Sequence, residues 1–114
     1  MSSVEAVFAG KDPAALETYR ALTARVAAFG PFEEQAKTAS IHLARKSAFA
    51  GVHPRKAAIL LVIRSAAPID SPRVRKLERV SANRWHNELL LSAPGEVDDE
   101  IMAWVAEAYG LSGG

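Results

Sequence analysis

Apolar side chains recur every three or four residues in two stretches of the sequence, one towards each end. This spacing places the side chains along one face of an α-helix. The first predicted helix covers residues 12–29, with Asp12 as its capping residue and Pro13 in its first turn. Gly30 and Pro31 follow, and both residues favour the end of a helix. The apolar positions that form its buried stripe are Leu16, Tyr19, Leu22, Val26 and Phe29.

The second helical stretch covers residues 97–109 and ends before Gly110. Four acidic residues between positions 96 and 100 surround its first turn, where the helix dipole stabilises negative charge. A short helical turn is also predicted around residues 3–8. The apolar positions of the second helix that should face the core are Val97, Ile101, Trp104, Val105 and Ala108.

Between the two helices the pattern changes to short runs of alternating or β-branched residues, which is typical of strands. The run 58–64 does not alternate, so we expect it to be a central strand that is covered on both faces. Residues 40–45 are compatible with either a strand or a helical turn. Gly51, inside a predicted strand, indicates a bulge or a close approach of another backbone. The predicted strands are 35–39, 47–53, 58–64, 74–80 and 85–92.

This order of elements predicts an α+β fold. A sheet with one apolar face needs a cover, and two amphipathic helices can supply it. We therefore expect an antiparallel sheet of four to five strands that packs with an N-terminal and a C-terminal helix as a two-layer sandwich. With 114 residues, the chain is expected to form a single domain, 1–114, with flexible ends at 1–10 and 111–114.

The composition narrows the classes of function. There is no cysteine, which excludes disulfides and thiolate chemistry and suits a reducing cytosol. The longest apolar run, Ala57–Ile63, has seven residues, whereas a bilayer span needs about 20. We therefore expect a cytoplasmic protein with no membrane partner. No glycine-rich phosphate loop is present, so no cofactor is expected.

Charge is distributed unevenly along the chain, although the net charge is only +1. Residues 42–86 carry ten Lys or Arg and two acids, giving +8, while residues 87–114 carry six acids and no Lys or Arg, giving −6. Such a basic middle section favours an anionic partner, either nucleic acid or a phosphate-bearing ligand, bound through a sheet or turn surface. The anion-binding candidates are Arg45, Lys46, Arg55, Lys56, Arg73, Arg84 and His86.

Three of these cations, Arg55, Lys56 and Arg84, converge if the turns after Pro54 and at Asn83 lie at the same end of the sheet. Arginine binds phosphate oxygens bidentately, and lysine adds a point charge. The alternative is that the cations are solvated and prevent the sheet edges from pairing with other chains. In that case the protein is a structural or self-associating domain, for example a homodimer.

His42, His53 and His86 provide a further alternative, which is a small-molecule-binding or enzymatic pocket. They are separated by eleven and thirty-three residues, which is not the spacing of a zinc site, so no metal is expected. Glu88 lies two residues after His86 on the same face of a strand, where the two can pair by a hydrogen bond on the strand surface or, alternatively, act as a general acid and base. No catalytic motif accompanies these residues, so we assign no catalytic residue and favour a protein that is not an enzyme.

Four sequence blocks carry a resemblance to a known family. Together they resemble a small bacterial family that is catalogued only as a domain of unknown function, the 5655 family, over roughly residues 1–112. The resemblance implies a stand-alone or appended cytosolic bacterial domain, and it supplies no reaction, cofactor or substrate. The blocks are KTASIHLARKSAFAGVHPRK (37–56), PIDSPRVRK (68–76), SANRWHNELLL (81–91) and EVDDEIMAWVAEAY (96–109).

Overall fold

The computed structural model describes residues 3–113. Within these residues it contains three α-helices, six strands and a short 3₁₀ turn at Pro94–Glu96. The helices are α1 Val4–Val7, α2 Pro13–Val26 and α3 Asp99–Leu111. The strands are β1 Glu33–Ala36, β2 Ile41–Ala44, β3 Ala48–Pro54, β4 Ile59–Ser65, β5 Lys76–Ser81 and β6 Arg84–Leu91.

All six strands of the described chain form one antiparallel sheet in the order β1-β2-β3-β4-β6-β5. The predicted α+β fold is confirmed, with one strand more than the four to five expected. The additional strand is β2, in the segment for which the sequence left open a strand or a helical turn. Ile41 and Leu43 are buried there, and β2 pairs with β1 on one side and with β3 on the other.

Helix α2 begins where the sequence indicated, but it ends three residues before the predicted end at Phe29, whose side chain is exposed rather than part of the buried stripe. The Asp12 carboxylate accepts a hydrogen bond from the Ala14 N–H at 2.9 Å, and the helix ends at Val26 before a short turn. Gly30 follows with a φ of 142°, a conformation that favours glycine. A Cβ added there would lie 2.6 Å from the hydroxyl oxygen of Tyr109, so this turn also requires the missing side chain.

Helix α3 begins two residues later than its apolar pattern predicts. Its capping residue is Asp98, whose side chain accepts a hydrogen bond from the Ile101 N–H at 3.1 Å. This bond satisfies a free N–H of the first turn and places a negative charge at the positive end of the helix dipole. Val97 lies outside the helix, although its side chain is buried as expected.

Helices α2 and α3 pack on one face of the sheet and form the hydrophobic core with it. Strands β2, β3, β4 and β6 send alternate side chains into this core, because successive residues of a strand point to opposite faces. The opposite face, termed the open face, carries no helix within the part of the chain that the structure describes. Fully buried core side chains include Tyr19, Leu22, Ile101, Val105, Ile41, Leu43, Ile59, Leu61, Ile63 and Leu89.

One polar side chain, Asn87 of β6, lies completely buried on the core face. Its amide nitrogen donates to the Ile63 carbonyl at 2.9 Å and to the Ser65 hydroxyl at 2.7 Å. Its amide oxygen accepts from the Ile69 N–H at 2.9 Å. Asn87 therefore joins the end of β4 to the loop that leads towards β5.

The two ends of the described chain contact the rest of the domain. Val7 and Phe8 are buried in the core, and the Ser112 carbonyl accepts a hydrogen bond from the Lys46 N–H at 3.1 Å. The flexibility expected for 1–10 and 111–114 stays a prediction, and residues 1, 2 and 114 lie outside the described residues. Every helix in residues 3–113 is too short or too polar to cross a membrane.

Candidate functional site

A depression of about 300 Å³ lies on the open face of the sheet. Residues of five neighbouring strands, β2 to β6, line it. Outside Ala48–Gly51 they are alternate residues of their strands, since one face of the sheet receives every second side chain. Its volume is at the lower end of the range typical of ligand pockets. The side chains that decide its chemistry are His42, His53, Val62, Arg64, Arg84 and His86.

The depression exists because β3 carries a glycine at its centre. Gly51 pairs with His42 on one side and Val62 on the other, so its missing side chain leaves the floor open. A Cβ added there would lie 3.9 Å from the Cβ of Val62 and 4.0 Å from ring atoms of His42 and His53. These are ordinary contact distances, so a small side chain at Gly51 would fit against its neighbours and would occupy the floor of the depression.

The bulge that the sequence suggested at Gly51 lies two residues earlier. Leu43 pairs with Ala50 and Ala44 pairs with Ala48, so Phe49 is the extra residue of β3. Phe49 is fully buried, and its ring packs against that of Tyr109 in α3 at 5.4 Å between centroids. The bulge therefore turns a large aromatic side chain towards the core and away from the open face.

Two arginines form the cationic end of the depression. Arg64 of β4 lies opposite His86 of β6 in the sheet register, and Arg84 precedes His86 by two residues on the same face. The Arg64 guanidinium donates to the Ser47 hydroxyl at 2.8 Å, and Arg84 Nε donates to His86 Nε2 at 3.3 Å. Neither guanidinium forms an ion pair with a carboxylate of residues 3–113.

The two guanidinium groups repel each other. Burial lowers the pKa of Arg84, and the positive charge of Arg64 lowers it further. The acids that line the depression do not relieve this repulsion, because each has another neighbour. Glu88 lies opposite Lys76 in the register, and Glu78 lies opposite His86.

His86 lies between opposing charges. Burial lowers its pKa first, and the Arg84 charge lowers it further, while Glu78 acts in the other direction. Glu78 Oε1 is 3.9 Å from His86 Nδ1. The carboxylate that faces this histidine therefore comes from the neighbouring strand, and the predicted pair of His86 with Glu88 is wrong. The reason is the sheet register, in which Glu88 lies between Val62 of β4 and Lys76 of β5, whereas His86 lies between Arg64 and Glu78.

His42 and His53 lie at the other end of the depression, on either side of Gly51. Burial lowers the pKa of His53, and the charges of Arg55 and His42 lower it further. The three histidines that the sequence singled out thus share one depression. No group of three metal-binding side chains arranged to hold an ion is present in residues 3–113.

The predicted convergence of Arg55 and Lys56 with Arg84 is wrong. The turn that carries Arg55 and Lys56 precedes Ile59, which pairs with Leu91 at the end of β6. Arg84 begins β6, beside the other end of β4. Because β4 and β6 run antiparallel along their full length, these cations lie at opposite ends of the sheet.

The cations of the turn between β2 and β3 lie apart from the depression. The Arg45 guanidinium lies 4.2 Å from the centroid of the Tyr109 ring and donates to the Tyr109 carbonyl at 2.9 Å. Arg45 is thereby held against α3, on the side of the core. Lys46 is exposed on the same turn.

Arg73 was predicted to bind an anion from solution, but its charge is already neutralised within the chain. Its guanidinium is 2.9 Å from Asp98 and 3.0 Å from Glu100, and it also donates to the Glu96 carbonyl at 3.0 Å. The loop before β5 lies beside the N-terminus of α3, so the acids of this helix neutralise a cation of the basic middle section.

Arg64 is the central cation of the depression, and the sequence-based list of candidates omits it. It lies in the apolar run of β4, which was expected to be covered on both faces. Its position in the sequence could have identified it, because Arg64 lies two residues after Val62 and both side chains are therefore on the same face of the strand. A charged residue at such a position indicates that this face is not fully covered.

The fold and this depression define an α+β domain whose open face holds a ligand-sized depression with two arginines at one end. The chain belongs to the family described as "Domain of unknown function (DUF5655)", whose model matches residues 4–112. This confirms the family resemblance noted in the sequence. No curated protein matches the chain, and no solved structure does.

Proposed function

We propose that this domain binds a small anionic ligand, one that carries a phosphate or carboxylate group, in the depression on the open face. The observation that carries the proposal is the pair Arg64 and Arg84, which lie side by side without a carboxylate partner in residues 3–113. We propose a binding role and assign no catalytic residue. A bacterial, cytoplasmic setting is part of the proposal, because the family resemblance implies it.

An anion between the two guanidinium groups replaces their repulsion with attraction. Charge-assisted hydrogen bonds of arginine to oxyanions are short, bidentate and stronger than neutral ones. Both side chains are half-buried, so water screens the interaction less than it does at the surface. His86 lies beside Arg84, and its protonation on anion binding would add a third positive charge to the same end.

The positions of the other cations favour a small ligand over a nucleic-acid strand. A strand needs a continuous basic track along its backbone. Here Arg55 and Lys56 lie at the far end of the sheet, Arg45 is held against α3, and Arg73 is paired with acids. Nucleic acid, the broader partner that the charge pattern suggested, therefore becomes the alternative outcome of the test.

Titration with inorganic phosphate, followed by ¹⁵N–¹H NMR at low ionic strength, tests this proposal. We expect shift changes centred on residues that line the depression. Loss of one arginine should weaken binding about tenfold or more, since a hydrogen bond to a charged group contributes about 1.5–3 kcal/mol. The variants are Arg64→Gln and Arg84→Gln, and Lys46→Gln is the matched control because it removes an exposed cation elsewhere.

Two results would overturn the proposal. One is the absence of shift changes in the depression at millimolar phosphate. The other is equal weakening by the control variant Lys46→Gln, which would indicate only a general charge effect. A short single-stranded DNA, added in parallel, distinguishes the alternative, because binding of DNA without binding of phosphate would favour an extended polyanion.

Self-association remains a second candidate because one edge of the sheet is uncovered. β5 forms this edge, and all six of its residues are exposed. Leu77 and Val80 expose 46% and 49% of their surfaces. An exposed edge strand with apolar side chains can pair with a second copy of the same strand, as in many symmetric dimers.

A further inference from the structure

The two arginines occupy only one end of the depression. Arg64 and His86 form one row across β4 and β6, and Arg84 lies beside them. In the next row, Gly51 and Val62 lie side by side and offer no charge or hydrogen-bonding side chain. His42 continues this row on the β2 side, and Glu88 and Lys76 continue it on the side of β6 and β5. The depression therefore has two arginines at one end and an apolar centre at Gly51 and Val62, which Glu88 and Lys76 flank on one side.

The apolar centre is bounded by two flat side chains. The site of a Cβ on Gly51 is 4.0 Å from ring atoms of both His42 and His53. A planar group above Gly51 would therefore be in contact with two imidazole rings and with the Val62 side chain. The lowered pKa of His53 keeps its ring neutral at physiological pH, which suits contact with an uncharged body.

The volume also exceeds what an inorganic anion needs. About 300 Å³ corresponds to roughly ten water molecules at about 30 Å³ each. A phosphate ion at the two arginines would leave the region above Gly51 to water. Filling that region with an apolar group removes apolar surface from water and adds affinity.

We infer that the ligand is an organic anion with two distinct parts, an anionic group between Arg64 and Arg84 and a planar or apolar body over Gly51 and Val62. This inference rests on the proposed anion binding and specifies its ligand class. An aryl or heterocyclic phosphate or carboxylate has this chemistry. Inorganic phosphate has only the first part.

Phenyl phosphate and inorganic phosphate are the probes that test the inference. We expect phenyl phosphate to bind the unaltered protein about tenfold more tightly, which corresponds to one favourable aromatic contact plus partial burial. Gly51→Val places methyl groups where the phenyl ring would lie. It should lower the affinity for phenyl phosphate to about that for phosphate, so that the preference for phenyl phosphate is lost.

Gly51→Ala is the matched control for folding. Its single Cβ fits at ordinary contact distances, so it should preserve the fold and reduce phenyl phosphate binding less than Gly51→Val. An independent measurement on the unaltered protein avoids any dependence on variants. Nuclear Overhauser effects should connect the phenyl protons to the Val62 methyl groups.

The outcomes separate this inference from the proposed function. If phosphate binding depends on Arg64 and Arg84 but phenyl phosphate binds no more tightly, the inference is wrong and the proposed function stands. The inference is equally wrong if no Overhauser effect reaches Val62 or if Gly51→Val binds phenyl phosphate as well as the unaltered protein. If neither probe binds in the depression, both fail.

Discussion

Replacement of the buried Asn87 by alanine is expected to destabilise the domain strongly. The side chain makes three hydrogen bonds of 2.7–2.9 Å, to the Ile63 carbonyl, the Ser65 hydroxyl and the Ile69 N–H. Each such bond contributes about 1 kcal/mol net, so the loss should be about 3 kcal/mol. The Ile69 N–H also loses the acceptor that the Asn87 side chain provides, so we expect a loss of stability no smaller than this value.

Urea denaturation followed by tryptophan fluorescence measures this change. With a slope of about 1–3 kcal/mol per molar urea, a loss of about 3 kcal/mol lowers the midpoint by about 1–3 M. For a domain of this size the melting temperature should fall by about 10 °C or more. Asn83→Ala is the matched control, since Asn83 is exposed in the turn before β6 and should alter stability by less than about 0.5 kcal/mol.

A second substitution at the same position tests whether stability rises or falls with pH. Asn87→Asp keeps the size of the side chain but places a carboxyl group in the core. Burial should raise its pKa above the unfolded value of about 3.9. The variant should then be most stable below that value and lose stability as the pH rises through the folded pKa. A midpoint for Asn87→Ala within about 0.3 M of the original, or a pH-independent Asn87→Asp, would refute the account of this network.

The other predictions concern titration, the acidic end of α3 and association. Arg84→Gln should raise the pKa of His86 towards about 6.5, measured from the ring protons by NMR, because it removes a positive neighbour; an unchanged pKa would contradict the assigned cause. The hydrogen bond from the Ile101 N–H and, after it, the Arg73 guanidinium lower the pKa of Asp98; this stabilises the fold above about pH 4, and the contribution is lost as the pH falls through the folded value. Arg73→Ala should therefore reduce the stability at pH 7 by about 1 kcal/mol. It should also reduce the amount of stability that the domain loses between pH 7 and pH 3. Urea denaturation at the two pH values measures both effects. If β5 mediates a dimer, sedimentation equilibrium should show a mass that rises with concentration and that Leu77→Lys returns to monomer, whereas a monomer mass throughout would exclude this edge.

Local patterns predicted most elements of this fold. The helical periodicity, the capping Asp12 and the stop at Gly30 identified α2, because these signals depend on neighbouring residues alone. The strand β2 was less certain because four residues are too few to show a period. Its identity depends on hydrogen bonds to β1 and β3, which lie elsewhere in the sequence.

The candidate site was harder to predict because it depends on strand order. The three histidines were identified as a group, yet only the register of the sheet shows that they share one face. The charge pattern indicated both Arg55 and Arg84 as anion-binding candidates, whereas the sheet places them at opposite ends of its strands. Arg73 was predicted as a site residue but is paired with acids, whereas Arg64 was not predicted and lines the depression. Both outcomes depend on neighbours in space that the sequence pattern does not show.

The direct test of the central claim is to observe the arginine side chains themselves. In an NMR experiment that detects the Nε–H groups, phosphate added at low ionic strength should shift the signals of Arg64 and Arg84 together. The signal of Arg55, at the far end of the sheet, should stay unchanged and provides the internal reference. If Arg64 and Arg84 do not respond, or if Arg55 responds equally, the open face does not contain the proposed anion site.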